Sequence, residues 1–126
     1  KSDTNFMKIA LNLARTNNGL TGINPSVGCV IVKNNKIISF GQTGLNGRPH
    51  AEFQAIKKCK KKDLIDSTIY ITMEPCTHYG KTPPCTNLII KSKIKKVIYS
   101  INDVDDRTSN KAYSLLKLNK INNSSC

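Results

Sequence analysis

Four side chains with the chemistry of a metal centre stand in two short motifs near the middle of the chain. His50 and Glu52 belong to a His-Ala-Glu motif, and Cys76 and Cys85 each follow a proline. A neutral imidazole and two thiolates are donors that zinc prefers, and three protein ligands leave one tetrahedral position open for water. Glu52 is then available as a base that takes a proton from that water. The motifs therefore predict a water-activating zinc centre with His50, Cys76 and Cys85 as ligands.

Two other interpretations use the same residues. A closed structural zinc site would add His78 as a fourth ligand and leave Glu52 as a solvated helix residue. We favour the open site over this closed one, because a closed shell would leave Glu52 without a function. A disulfide between Cys76 and Cys85 is disfavoured, since the five cysteines are an odd number and no secretory apolar segment is found. Both features predict a reducing, cytoplasmic compartment.

The elements that must position these residues follow from apolar periodicity. A helix over residues 50–61 places Glu52, Ala55, Ile56 and Cys59 on one face, so Glu52 would point inward. Residues 68–72 are β-branched and aromatic, which predicts a strand that delivers Cys76 at its carboxyl end, where ligand sites of open α/β sheets lie. A further helix should begin near Cys85, directly after the two prolines.

The remaining segments complete an alternating α/β pattern. The pattern predicts a helix from about Asp3 to Asn17 with its apolar stripe at Phe6, Ile9, Ala10 and Leu13, strands over residues 27–33, 36–41 and 96–101, and a helix over residues 110–118. Asn34 and Asn35 separate the first two strands, and asparagine tolerates the positive φ of a tight hairpin turn. Alternating helices and strands predict one sheet covered on both faces.

Composition and charge narrow the classes of partner. The 126 residues carry a formal net charge of +12, mostly from lysines scattered among asparagines, which indicates solvated faces that would also attract a phosphate-bearing small substrate. Tryptophan is absent and no aromatic-basic interleaving is visible along the sequence, which argues against nucleic acid as a partner. The longest apolar stretch, residues 27–32, is far short of the roughly 20 residues of a membrane span. We therefore expect a soluble domain with no membrane partner.

Three segments carry a family resemblance. Residues 24–32 (NPSVGCVIV), 47–52 (GRPHAE) and 74–85 (EPCTHYGKTPPC) resemble the deaminase domain of the riboflavin-biosynthesis deaminase/reductase family. The resemblance extends from about Phe6 to Ile121, and the eight residues between the two cysteines are specific to this branch. Cytidine and tRNA-adenosine deaminases share the His-x-Glu and Pro-Cys zinc scheme but have Cys-x-x-Cys.

The resemblance implies a three-layer α/β/α cytidine deaminase-like fold around a mixed five-stranded sheet. It implies Zn²⁺ as cofactor and hydrolytic deamination of 2,5-diamino-6-(5-phosphoribosylamino)pyrimidin-4-one, a phosphorylated pyrimidine. His50, Cys76 and Cys85 match the zinc ligands of the family, and Glu52 matches its proton shuttle. The positions that match substrate contacts are Asn24, His78, Lys81, Thr82 and Asp103.

Some positions depart from the family pattern. Thr43 stands where the family usually has a histidine, and Val104-Asp105-Asp106 replaces the usual Pro-Asn-Pro after Asp103, which puts fine substrate contacts in question. No reductase domain follows, so we expect residues 1–126 to form a single deaminase domain, either a fragment or a free-standing enzyme. A homo-oligomer and association with a reductase domain both stay open. The alternative functions are a nucleic-acid or cytidine deaminase of the same superfamily and a structural zinc module.

Overall fold

The structure is a computed structural model that describes residues 2–22, 26–73, 85–100, 116–118 and 121–125. Within these residues the helices are α1 (Ser2–Thr16), α2 (Ala51–Lys58), α3 (Lys61–Leu64) and α4 (Cys85–Lys91), and a single 3-10 turn covers Leu45–Gly47. The strands are β1 (Gly28–Lys33), β2 (Lys36–Gln42), β3 (Thr68–Ile71), β4 (Lys96–Tyr99) and β5 (Asn122–Ser125). The predicted order of elements is confirmed in the described residues, except that α3 was not predicted and that a fifth strand was expected only from the family resemblance.

The strands form one mixed sheet in the order β2-β1-β3-β4-β5. β1 is antiparallel to both β2 and β3, whereas β3, β4 and β5 are parallel. This arrangement confirms the five-stranded mixed sheet. It also gives the sheet two distinct ends. The site end holds the start of β1 and the carboxyl ends of β3 and β4, and the hairpin end holds the β1–β2 turn and the starts of β3, β4 and β5.

Helices cover both faces of the sheet. Alternate residues of β1 divide between two cores: Cys29 and Ile31 pack with Ala55, Ile56 and Ile89 of α2 and α4, whereas Val30 and Val32 pack with Met7 and Ala10 of α1. Successive side chains of a strand point to opposite faces, so a strand apolar at every position must be buried on both sides. The three-layer α/β/α architecture is confirmed.

The buried stripe of α1 differs from the predicted one. Met7, Ala10 and Ala14 are buried, whereas Ile9 is 39% exposed, so the prediction that Ile9 faces inward is wrong. The helix is rotated because its backbone lies directly against β1 at Gly28, where a Cβ atom would lie 2.0 Å from the Ala10 carbonyl oxygen. Phe6 remains partly buried, with its ring centroid 5.3 Å from that of Tyr70.

Local turn chemistry was predictable, but the length of α2 was not. Asn34 and Asn35 adopt φ values of 53° and 64°, which confirms the predicted tight turn.

The helix predicted over residues 50–61 ends at Lys58, because Cys59 is extended (φ −99°, ψ 146°) and α3 begins only at Lys61. The break turns the chain so that Leu64 reaches the core at 2% exposure. The predicted helix over residues 110–118 lies outside the described residues except for 116–118, which are helical.

The described helices were also compared with the requirements of a membrane span. None of them combines the length and the apolar character needed to cross a bilayer.

Close contact between β2 and α2 leads to a stability prediction. A Cβ atom at Gly41 would lie 2.3 Å from the Ala51 carbonyl oxygen and 2.9 Å from the Ala55 nitrogen. We expect Gly41→Ala to lower the free energy of unfolding by about 3 kcal/mol, because α2 must move away from the sheet. Denaturant unfolding followed by circular dichroism measures the change.

Gly19→Ala is the control for this substitution. Gly19 has a φ of +86°, and a Cβ atom added there would have no other atom within 4 Å, so alanine should cost only the backbone strain of about 1 kcal/mol. Equal losses for the two variants would contradict the close-packing explanation at Gly41.

Candidate active site

His50 lies at the site end, immediately before the first turn of α2. It is the N-cap residue of that helix, with extended backbone angles (φ −68°, ψ 155°), and its carbonyl oxygen accepts a hydrogen bond from the Gln54 nitrogen at 3.1 Å. Its side chain makes no capping hydrogen bond to the helix. The ring is therefore available for other contacts at the start of α2.

The side chain of Cys85 approaches that of His50 from α4, which packs on the same face of the sheet as α2. It is the first residue of α4, is 5% exposed, and places Sγ 3.5 Å from His50 Nδ1. Typical bond lengths of about 2.3 Å for zinc–sulfur and about 2.0 Å for zinc–nitrogen, at a tetrahedral angle, separate the two donor atoms by about 3.5 Å. The two side chains thus have the separation of two ligands of one ion, although they are 35 residues apart in sequence.

Glu52 lies in the first turn of α2 with its side chain 5% exposed. The prediction that it points inward rather than toward solvent is confirmed. Its charge acts on the neighbouring Cys29 thiol of β1, which places the carboxylate at the site end of the sheet. A carboxylate in the first turn of a helix is favoured by the positive end of the helix dipole.

Cys29 is close to this site but has a different character from Cys85. Burial raises the pKa of the Cys29 thiol well above its usual range, and the Glu52 carboxylate raises it further. The protonated thiol donates a hydrogen bond to the Ala51 carbonyl oxygen at 3.2 Å. A buried thiol that resists ionisation is a poor metal ligand, so Cys29 is a small apolar residue of the core.

Two cysteines other than Cys85 are also free thiols in the described residues. These are Cys29 and Cys59; Cys126 lies outside the described residues. Cys59 is half-buried rather than fully inward. Burial and the Asp63 carboxylate raise the pKa of the Cys59 thiol, so it also favours the protonated form.

Two buried threonines hold the site end together, and the sequence did not predict their roles. The Thr43 hydroxyl accepts a hydrogen bond from the Val27 nitrogen at 2.8 Å, and the Thr43 nitrogen donates to the Val27 carbonyl oxygen at 2.9 Å. Thr72 makes the same pair of contacts with Gly28, at 3.1 and 3.0 Å. Thr43, a departure from the family pattern, therefore bridges the loop before His50 and the segment before β1.

Several predicted site residues lie outside the described part of the chain. These are Cys76, Asn24, His78, Lys81, Thr82 and Asp103. Among the described residues no group of three or more His, Cys, Asp or Glu side chains is placed to hold a metal ion. The structure therefore brings the side chains of His50 and Cys85 together and buries Glu52 in the first turn of α2, and the complete ligand set stays a prediction.

The described residues that flank these positions share one location. Ser26, which follows the segment with Asn24, donates a hydrogen bond to the Ala14 carbonyl oxygen at 2.5 Å. The Thr72 nitrogen donates to Gly28, and the Ser100 nitrogen donates to the Ile71 carbonyl oxygen at 3.0 Å. All three residues lie at the site end of the sheet, as do His50 and Cys85.

The sequence of the chain is similar to that of a known family and of several named proteins. Residues 1–101 match the family described as the cytidine and deoxycytidylate deaminase zinc-binding region. The diaminohydroxyphosphoribosylamino-pyrimidine deaminase of Buchnera aphidicola subsp. Acyrthosiphon pisum is 42% identical over 116 residues, which are 92% of this chain and 78% of that protein. The riboflavin biosynthesis protein RibD of Aquifex aeolicus is 44% identical over 115 residues, which are 91% of this chain and 32% of that protein.

Structural comparison gives the same relationship. RibD of Acinetobacter baumannii superimposes with a TM-score of 0.92 at 36% sequence identity, covering 98% of this chain and 35% of that one. The chain thus spans about a third of the length of the RibD proteins it matches and about four fifths of the Buchnera deaminase.

Proposed function

We propose that this chain, which belongs to the zinc-binding cytidine and deoxycytidylate deaminase family, deaminates 2,5-diamino-6-(5-phosphoribosylamino)pyrimidin-4-one in riboflavin biosynthesis. The reaction is hydrolytic: water replaces the amino group on the pyrimidine ring, a carbonyl forms, and ammonia leaves. The observation that carries the proposal is the 3.5 Å approach of His50 Nδ1 and Cys85 Sγ beside the buried Glu52. The specific substrate is supported by the 42% identity to the Buchnera deaminase.

The donor set at the site end fits zinc. His50 and Cys85 offer nitrogen and sulfur at the separation of two ligands, and Cys76 would supply the third donor. Zinc held by these three residues would lower the pKa of water at its open position and so provide a nucleophile at neutral pH. The ordinarily weak acidity of water is the main obstacle to hydrolysis of an aromatic amine, so this is the chemistry that the site requires.

Glu52 moves the protons of the reaction. Its carboxylate accepts a proton from the attacking water and delivers it to a ring nitrogen, which draws electrons from the carbon under attack. The same carboxylate then takes the second proton, from the hydroxyl group now on that carbon, and gives it to the amino group, so the carbonyl forms as ammonia departs. Its burial at the start of α2 suits this role, because a carboxylate shielded from bulk water exchanges protons mainly with groups inside the pocket.

The substrate contacts follow from the family resemblance. Lys81 and Thr82 would bind the phosphate or a polar ring edge with an ammonium and a hydroxyl. Asn24, His78 and Asp103 would contact the pyrimidine and the ribose. We take residues 1–126 as a single deaminase domain whose substrate is this small phosphorylated pyrimidine.

A substrate panel tests the proposal. Ammonia release should be measured with the phosphorylated precursor, the same precursor without its phosphate, cytidine, and a tRNA anticodon stem-loop. We expect the phosphorylated precursor to be preferred. Lys81→Ala should raise the KM for that substrate roughly tenfold, as expected for the loss of one hydrogen bond from a charged group.

The matched control is Lys57→Ala, which removes the same charge at an exposed position of α2 far from the site end. Its KM should equal that of the unmodified chain. Preferred activity on cytidine or on the RNA would overturn the proposed substrate and leave the zinc chemistry in place.

A further inference from the structure

The hairpin end of the sheet, opposite the candidate active site, carries a dense set of lysines. We call this surface the basic end, and its lysines are Lys33, Lys36, Lys57, Lys58, Lys60, Lys61, Lys62, Lys91, Lys93, Lys95 and Lys96. Nine of these side chains are exposed, and those of Lys33 and Lys96 are half-buried. Asp63 and Asp66 are the only carboxylates within the same segments, residues 33–36, 57–66 and 91–96. Lysines that look scattered along the sequence therefore converge in space.

Contacts between these segments show that they form one surface. Lys33 Nζ donates to the Lys62 carbonyl oxygen at 3.5 Å, which joins the β1–β2 turn to α3. The Asp66 nitrogen donates to the Lys93 carbonyl oxygen at 3.2 Å, which joins the residues after α3 to the connection between α4 and β4. Thr68 of β3 also pairs with Lys96 of β4.

Two exposed aromatic rings lie next to this surface, each with one of its lysines beside it. Phe40 is in the edge strand β2, where it pairs with Val30, and Phe53 is in the first turn of α2. Phe40 is 50% exposed, with Lys58 Nζ 4.4 Å from its ring centroid. Phe53 is 41% exposed, with Lys57 Nζ 5.2 Å from its centroid. Phe40 and Lys58 come from different elements, so the aromatic-basic interleaving exists only in the folded chain. The linear sequence alone does not show this arrangement.

We propose that the basic end, together with Phe40 and Phe53, binds single-stranded nucleic acid. Surfaces of this kind combine cations that follow the phosphate backbone with aromatic rings on which bases stack. Each ring here has an ammonium group beside it, so one patch offers contacts for a base and for its neighbouring phosphate. Because the lysines of the basic end lie at the opposite end of the sheet from His50 and Cys85, we take bound nucleic acid as a partner and not as the substrate.

Other macromolecules fit this surface less well. A second copy of the chain would bring two lysine-rich surfaces face to face, and such like-charge contacts cost several kcal/mol. An acidic protein surface is best recognised by arginine, which binds carboxylates in a bidentate manner, and the basic end contains no arginine. Lysine is moreover depleted at protein–protein interfaces. A single strand needs only point charges and accessible ring faces.

The experiment measures binding of the full chain to a fluorescein-labelled RNA single strand of about 20 nucleotides by fluorescence anisotropy. The dissociation constant is determined between about 50 and 200 mM NaCl, because each phosphate contact contributes about 0.7 to the slope of log affinity against log salt concentration. We expect Lys60→Gln/Lys61→Gln/Lys62→Gln to reduce the slope by about 2 and to weaken binding by up to about 100-fold at 0.1 M salt. Phe40→Leu should weaken binding about tenfold, since it removes one stacking ring.

The control variant, Lys8→Gln/Arg15→Gln, removes two positive charges from exposed positions of α1, outside the basic end. It should retain most of the affinity. An equal loss of affinity per charge removed would overturn the proposal, because net charge alone would then explain binding. Absence of binding at low salt, or binding to phosphatidylserine vesicles but not to RNA, would overturn it as well. Ammonia release by every variant serves as the check that the chain is folded.

Discussion

Glu52→Gln should lower the rate of ammonia release by about 10²–10⁴-fold, the usual contribution of a positioned acid–base group. Glutamine has nearly the same shape as glutamate and can remain in the buried first turn of α2, but its amide cannot accept and return a proton. The variant should therefore fold and bind metal like the unmodified chain. Steady-state ammonia release, thermal unfolding and metal content measured on the same preparation separate these effects.

Asp63→Asn is the matched control, because it also changes a carboxylate to an amide but lies in α3. It should leave the rate unchanged. If Glu52→Gln released ammonia at the full rate, Glu52 would have no part in the proton transfers, and its buried carboxylate would need a purely structural explanation.

Local signals in the sequence predicted the elements whose conformation depends on neighbouring residues. The Asn34-Asn35 turn is an example, because asparagine at positive φ fixes a hairpin without help from the rest of the fold. The start of α4 at Cys85 is another, since two consecutive prolines in the sequence favour a helix that begins after them. The stripe of Ala55, Ile56 and Cys59 likewise predicted an inward Glu52 from helical periodicity alone.

Elements determined by tertiary contacts were not predictable in this way. β5 has the sequence Asn-Asn-Ser-Ser, which has low intrinsic strand propensity, and it is a strand because it pairs with β4 from Asn122 onward. The family resemblance implied a fifth strand, but the residues themselves did not. The rotation of α1 depends on the contact at Gly28, and a single sequence does not reveal which helix face meets a glycine.

The candidate site shows the same division. Residue types and spacing predicted that His50 and Cys85 bind the same metal ion. Their side chains lie close together because α2 and α4 begin next to each other on one face of the sheet. The hydrogen bonds of Thr43 and Thr72 could not be predicted, because each threonine pairs with backbone groups of a distant segment. The convergence of lysines at the hairpin end was missed for the same reason.

The second large effect should be the loss of zinc binding when a ligand is replaced. We expect one zinc ion per chain, with two sulfur ligands, one nitrogen ligand and one further light-atom ligand in X-ray absorption. Cys85→Ser should weaken zinc binding by more than about 100-fold, because replacing a ligand costs more than the 10–100-fold typical of residues that only support ligands. Since metal binding is coupled to folding, the melting temperature should fall and should no longer respond to added zinc.

Cys29→Ser is the control that separates ligation from a general effect of losing a thiol. The Cys29 thiol is buried, has a raised pKa and donates to the Ala51 carbonyl oxygen, and a serine hydroxyl can donate to the same oxygen. This variant should keep its full zinc content. A coordination shell with a second nitrogen and no further light-atom ligand would instead favour a structural zinc site that includes His78, because a closed shell leaves no position at which Glu52 can act on water.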